Sequence, residues 1–236
     1  SVLWPLSLAV EPDAWIAEGM VSAKGRTLLS FASCKDGTAH SSAYAAAERS
    51  FDWRLLSSRS PHAFVWAGDA VYADHPPPRV ERAWPIRIVL PDLPLSGAGR
   101  GFRGAQPHEL RRLYAELNAE PGYASLRSSV RAVLGTWDDH DFGLDDADRT
   151  FAFRNESKRE FLDFLGASAD DARRLRDGAG GWGATLLGEG ARSVLVIALD
   201  LRYHRDPYGL EGGDILGEQQ WDCLLYTSPS PRDGLL

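Results

Sequence analysis

Four short apolar runs punctuate the chain. They are residues 27–32 (Thr-Leu-Leu-Ser-Phe-Ala), 63–67 (Ala-Phe-Val-Trp-Ala), 132–137 (Ala-Val-Leu-Gly-Thr-Trp) and 193–199 (Ser-Val-Leu-Val-Ile-Ala-Leu). Their apolarity is continuous rather than alternating, which predicts strands covered on both faces. A fifth strand is predicted over 182–187, turning through Gly188, Glu189 and Gly190 into the fourth run as a hairpin. Helical spacing fills the intervals. Residues 42–57 are alanine-rich, with Phe51, Leu55 and Leu56 to one side. Pro107 opens a helix at its first position, and Leu110, Leu113, Tyr114 and Leu117 follow at i, i+3, i+4 and i+7. Asn155 is placed to cap a helix carrying Phe161, Leu162, Phe164 and Leu165. This alternation predicts an α/β fold, and no internal repeat interrupts it.

Two stretches escape the pattern. Residues 75–106 hold three consecutive prolines, Gly97, Gly99, Gly101 and Gly104, and Arg79, Arg82, Arg87, Arg100 and Arg103. An irregular stretch of this length reads as an insertion or lid, serving either as a plain surface excursion or as a grip on substrate. Periodicity also stops at Cys223. Residues 223–236, with their Thr-Ser-Pro-Ser-Pro run, are expected to be a non-native tail, so that residues 1–222 form one domain and the natural chain continues beyond Asp222.

Composition narrows the function. The chain has 236 residues, 44% hydrophobic and 25% charged, enough for one large α/β domain. A formal charge of −7 argues against a nucleic-acid-binding surface, and an anionic substrate would have to be drawn by local cations. No run is long and apolar enough to span a bilayer. Two cysteines, Cys34 and Cys223, exclude a disulfide framework and a cysteine-rich zinc site. The sequence sets no compartment.

The candidate chemistry gathers where the apolar runs end. After the third run, six aspartates fall within residues 138–148, around His140. Like charges so crowded are tolerated when water solvates them or a cation neutralises them, and carboxylates suit hard cations such as calcium or magnesium. The first run ends at Ser33-Cys34, the second at Gly68-Asp69-Ala70-Val71-Tyr72, and the fourth at Asp200-Leu201-Arg202. Strands of one sheet would bring these ends to a common rim, since sites in open α/β sheets lie beyond the carboxyl ends of strands. Gly68 permits a tight turn, Asp69 can bridge two cations, and Tyr72 can present its phenolate to the same ion. A phenolate and a thiolate favour iron over zinc or calcium. Taken singly, Cys34 reads as a small buried hydrophobe and Tyr72 as a packing residue. An EF-hand is excluded because the turn glycine is misplaced and Thr150 stands where the final glutamate belongs.

Taken together, these segments resemble the PhoD-like alkaline phosphatases, a branch of the metallophosphoesterases. The resemblance rests on Phe31-Ala-Ser-Cys34, Gly68-Asp-Ala-Val-Tyr-Ala-Asp74, Leu113-Tyr-Ala-Glu116, Trp137-Asp-Asp-His-Asp-Phe-Gly143, Phe161-Leu-Asp-Phe164, Leu199-Asp-Leu-Arg-Tyr-His-Arg205 and Leu216-Gly-Glu-Gln-Gln-Trp221. It implies a metallophosphoesterase-like sandwich of two mixed sheets flanked by helices, incomplete on its C-terminal side. It implies metal-dependent hydrolysis of a phosphoester, either a small molecule or a lipid, with iron and calcium as cofactors. Cys34, Asp69 and Tyr72 would hold the iron, and Asp69 and Asp139 the calcium. His140 would be the catalytic general acid. Asp138 would orient the loop, and Asp200, Arg202 and Arg205 would act behind the ligands or structurally. The chain departs from the family at Asp145, where asparagine is common. It also lacks the later Gly-Asp-x-His-type segment, so a fragment ending here is expected to bind metal poorly and to be inactive. A phospholipase-type diesterase on the same site and a non-catalytic calcium-binding or interaction domain are the alternatives.

Overall fold

The computed structural model describes residues 16–19 (backbone only), 27–35, 53–75, 101–176, 178–188 and 193–227. The expected helix over 42–52, Arg79, Arg82, Arg87, Arg100, the hairpin turn at Glu189 and Gly190, and residues 228–236 lie outside them.

The described strands form two sheets. Strands β2 (Leu29–Ala32), β3 (Ala63–Ala67) and β4 (Ala132–Thr136) pair in that order, all parallel. Strands β1 (Ile16–Gly19), β5 (Gly183–Leu187) and β6 (Val194–Ala198) form the second sheet, with β1 parallel and β6 antiparallel to β5. The α/β class is therefore as expected. Of the two sheets only the second is mixed, and the four apolar runs do not share one sheet, because the fourth pairs with β5.

The side-chain alternation of β3 builds the layers. Phe64 and Trp66 point to one side, into an aromatic core with Trp53, Tyr114, Tyr123, Phe161 and Phe164. Ala63 points to the other side and meets Leu187 of β5, with Leu134 and Val196 packed around them. The order is thus helices, parallel sheet, second sheet. The helical layer comprises α1 (Trp53–Ser58), α2 (Pro107–Ala119), α3 (Pro121–Ser129) and α5 (Arg154–Leu165), numbered to leave α4 for a short helix at the site. Leu110, Tyr114 and Leu117 bury one stripe of α2, and Phe161, Leu162, Phe164 and Leu165 one stripe of α5, as their spacing predicts. Polar tips are satisfied inside this layer, as where Trp66 Nε1 donates to the Tyr123 hydroxyl at 3.0 Å.

Several local expectations are corrected. The face of α1 that enters the core is Trp53, not Leu55, which is 57% exposed. Asn155 does not cap α5. Phe153 occupies the cap position, and Asn155 Oδ1 instead accepts the Tyr203 hydroxyl from inside the helix. Nor are all the apolar runs covered on both faces. On β2, Phe31 is 74% exposed, and Val194 and Ile197 of β6 are exposed too, because both strands are the last described members of their sheets. Helix α7 (Glu218–Thr227), named ahead of α6 (Ala172–Leu175), runs unbroken through Cys223. Gln220 docks it, accepting from Asp200 N at 2.8 Å and donating to Asp200 O at 2.9 Å. A cavity of about 290 Å³ opens between the sheets, lined in part by Leu134, Val196, Asp171 and Arg173.

Residues 75 and 103 form an isolated antiparallel bridge, with His75 N donating to Arg103 O at 2.9 Å and Arg103 N to His75 O at 2.8 Å. Glu109, in the first turn of α2, fastens it. Its carboxylate accepts Gln106 N at 2.7 Å, Arg103 Nη2 at 3.1 Å, and lies 2.8 Å from His75 Nε2. Burial pushes this acid up, but the Arg103, Gln106 and His75 hydrogen bonds outweigh it and hold Glu109 down at about 2, against an ordinary 4.5. A depressed acid contributes stability that is complete above its unfolded pKa and lost as pH falls through its folded one. Glu109→Gln is therefore expected to flatten the fall in urea midpoint between pH 4.5 and pH 2. Superimposable acid limbs for the variant and the parent would remove this assignment.

Candidate metal centre

Parallel pairing delivers three chain ends to one edge. Ala32, Trp66 and Gly135 lie level across β2, β3 and β4. Two residues further on the ladder is still closing, since Cys34 N donates to Gly68 O at 3.3 Å and Lys35 N to Asp69 O at 2.9 Å. Gly68 then turns at φ 100, and a Cβ there would stand 2.8 Å from that of Asp138. Only glycine allows β3 and β4 to release their ends so close together. Cys34 and Asp69 both adopt left-handed backbone, at φ 54 and 51. Such conformations cost about 1–3 kcal/mol each and concentrate at functional sites.

The side chains converge. One ligand atom each from Asp69, Asp139 and His140 falls within 4.8 Å of the others. Cys34 Sγ lies 3.7 Å from Asp69 Oδ2, and the Tyr72 hydroxyl donates to the same oxygen at 3.4 Å. Asp69 is therefore the meeting point of the residues singled out from the sequence: Asp139 and His140 share its ligand sphere, while Tyr72 and the exposed Cys34 reach its Oδ2. Asp69 is 6% exposed, and its Oδ1 is buried with no hydrogen-bond partner. Burial raises its pKa to about 6, against the pull of His140 and with the push of Asp138 and Asp139.

The short helix α4 (Asp139–Phe142), which follows β4, carries Asp139 and His140, and its neighbours fix them. Asp139 Oδ2 accepts Asp146 N at 2.7 Å. Asp141 is fully buried and accepts Ala70 N at 3.0 Å and Asp138 N at 2.7 Å, tying the β3 and β4 turns together. Burial, then the Asp69 charge, drive Asp141 well above the usual carboxylate range despite those amides. His140 Nδ1 lies 2.8 Å from Asp74 Oδ1, and the other oxygen of Asp74 accepts Asp145 N at 2.8 Å. Tyr72 stacks on the imidazole with centroids 4.3 Å apart. Burial alone would lower the His140 pKa, but the bond and charge of Asp74, with Asp139 and Asp69, raise it to about 9. With Nδ1 held by Asp74, Nε2 is the atom left for a ligand or a proton.

The fourth run reaches the site from the second sheet. Thr136 Oγ1 donates to Leu199 O at 2.6 Å, and Trp137 Nε1 to Asp200 Oδ1 at 2.8 Å. Arg202 then extends to Asp138, its Nε 2.6 Å from Oδ1. Asp200 is structural, as expected: its carboxylate is consumed by Trp137, Gly181 N, Arg202 N and Tyr203 N. Arg205 stacks on the Tyr208 ring at 4.2 Å. The sequence reading gave no role to Asp74, although the aspartate closes the Gly-Asp-x-x-Tyr segment and is buried. Its partner His140 lies 66 positions away in the chain.

The donor set fits a cation. Asp69, Asp139 and His140 each offer one ligand atom within 4.8 Å of the others, Asp69 Oδ1 is buried without a hydrogen-bond partner, and carboxylate and imidazole donors of this kind can hold a metal ion. No family model, no curated protein and no solved structure matches the chain.

Gly68→Ala is expected to lower stability by more than about 1 kcal/mol, because it adds left-handed strain to a clash with Asp138. Urea unfolding of the metal-free protein measures it, and a loss below a few tenths would show that the turn is not constrained.

Proposed function

We propose that this chain carries the metal centre of a phosphoester hydrolase of the PhoD-like metallophosphoesterase kind. One observation carries the reading: groups that follow three parallel strands converge on the Asp69 carboxylate, with Asp139 and His140 within 4.8 Å of it, the Cys34 thiol and Tyr72 hydroxyl on its Oδ2, and its Oδ1 buried without a hydrogen-bond partner. Cys34, Asp69 and Tyr72 would hold iron, and Asp69 and Asp139 calcium. These ions would supply Lewis-acid stabilisation of charge on a phosphoryl group.

The chain's own residues supply positioning and a proton. Asp74 and the Tyr72 ring hold His140 upright, and the surrounding acids keep it protonated to about pH 9 in the metal-free protein. Hydrolysis joins the oxygen of a water molecule to phosphorus as the P–O bond to the alcohol breaks; the water gives up a proton to solvent, and the departing oxygen takes one up, which His140 donates. The α/β fold, with the site beyond the carboxyl ends of parallel strands, supports the same reading.

The test combines binding with turnover. Fe³⁺ added to the chain is expected to give a visible phenolate-to-iron band that Tyr72→Phe removes. Turnover is measured in a full-length homologue: the change matching His140→Ala is expected to slow hydrolysis of an alkyl phosphate by about 10²-fold or more, and of an aryl phosphate much less, since a good leaving group needs less acid. Asp69→Ala should abolish both reactions. Equal rates for His140→Ala and the parent on the alkyl ester would remove His140 as the acid. Calcium uptake by this chain without an iron–phenolate band would leave a calcium-binding domain instead. Paired mono- and diester substrates set the specificity.

A further inference from the structure

Two adjacent aspartates, Asp138 and Asp139, follow β4, and both charges act on Asp69. Either could in principle serve a cation held there. The neighbours treat them differently. Arg202 grips Asp138 Oδ1 through both Nε at 2.6 Å and Nη2 at 2.5 Å, whereas its approach to Asp139 Oδ1 is 3.7 Å. Arg202 is 7% exposed and cannot easily leave. Its backbone is pinned where Arg202 N donates to Asp200 Oδ1 at 2.9 Å, and Asp200 is itself locked to Trp137, Gly181 and Gln220. Asp139, by contrast, spends one oxygen on Asp146 N, which aims it, and has its ligand atom among those of Asp69 and His140.

We propose that Arg202 is the positioning residue that assigns the two aspartates their roles: by hydrogen-bonding Asp138 in place, while only pairing at longer range with Asp139, it reserves Asp139 for the cation. The proposal rests on the reading that the site binds a metal ion. It goes beyond that reading by placing the control of ligand identity on a residue after a strand of the second sheet that is not itself a ligand. A guanidinium does this better than an ammonium, because Nε–H and Nη2–H, fixed in one plane, converge on a single oxygen of Asp138 and set its direction.

The test is calcium affinity, measured by calorimetry on the whole chain with no substrate present. In the parent background, Asp139→Asn is expected to weaken binding by at least about tenfold, and Asp138→Asn by less than about threefold. In an Arg202→Met background the released Asp138 competes for the ion, so the two substitutions are expected to cost the same within about threefold. A purely structural arginine would lower the melting temperature and leave the tenfold asymmetry intact, which would overturn the proposal. Should Arg202→Met fail to fold, Arg202→Lys keeps the charge without the fork and should narrow the asymmetry. The single variants in the parent chain decide the matter independently, since equal losses there also overturn it. No calcium uptake by the parent would instead remove the metal-site reading and this proposal together.

Discussion

Crowded negative charge is the constraint on which the rest of this structure turns. Two unit charges 4 Å apart interact by roughly 4 kcal/mol at the effective dielectric of a protein surface, while a whole domain is stable by about 5–15 kcal/mol. Asp69, Asp74, Asp138, Asp139 and Asp141 could not share a rim as five bare carboxylates. Each is handled separately. Asp74 faces an imidazole, Asp138 a guanidinium, and Asp141 two backbone amides at a raised pKa. Asp139 is met by Asp146 N and, at 3.7 Å, by Arg202. What remains without a hydrogen-bond partner is one oxygen of Asp69, and it lies in the one cluster of the described residues that could hold a metal ion.

The neutralising groups come from both sheets, which explains why the layers are fused at this edge. Thr136 and Trp137 at the end of β4 reach across to the carbonyl and carboxylate that follow β6. The sheets are apart where the cavity lies between them, and its lining includes none of the site residues. The cross-sheet hydrogen bonds of Thr136 and Trp137 thus lie at the end of β4 that carries the candidate site.

Much of this was legible in the residues. Each apolar run announced a strand, and the reactive group behind it announced a strand end, so the convergence of Cys34, Asp69, Tyr72, Asp139 and His140 followed once parallel pairing was assumed. Sheet membership was not legible, because an apolar run does not name its partner, and the fourth run reaches the rim from the other sheet. Nor was coverage: the apolar character of Phe31 and Ile197 does not reveal that their strands are the last described in their sheets. Asn155 carried a capping signal that a tertiary partner, Tyr203, outbid. The role of Asp74 was hidden for the same reason, since a hydrogen bond spanning 66 positions leaves no local pattern.

The bridge between residues 75 and 103 has a mechanical meaning. It ties two positions far apart in the sequence, directly after the aspartate that steadies His140. Loop closure costs only about 0.6 kcal/mol more for each doubling of the length enclosed. The clasp at His75 and Arg103 therefore depends little on how much chain lies between its ends. What it does fix is the approach of Phe102, whose ring lies 6.1 Å from that of His140, so the clasp and the imidazole are anchored together.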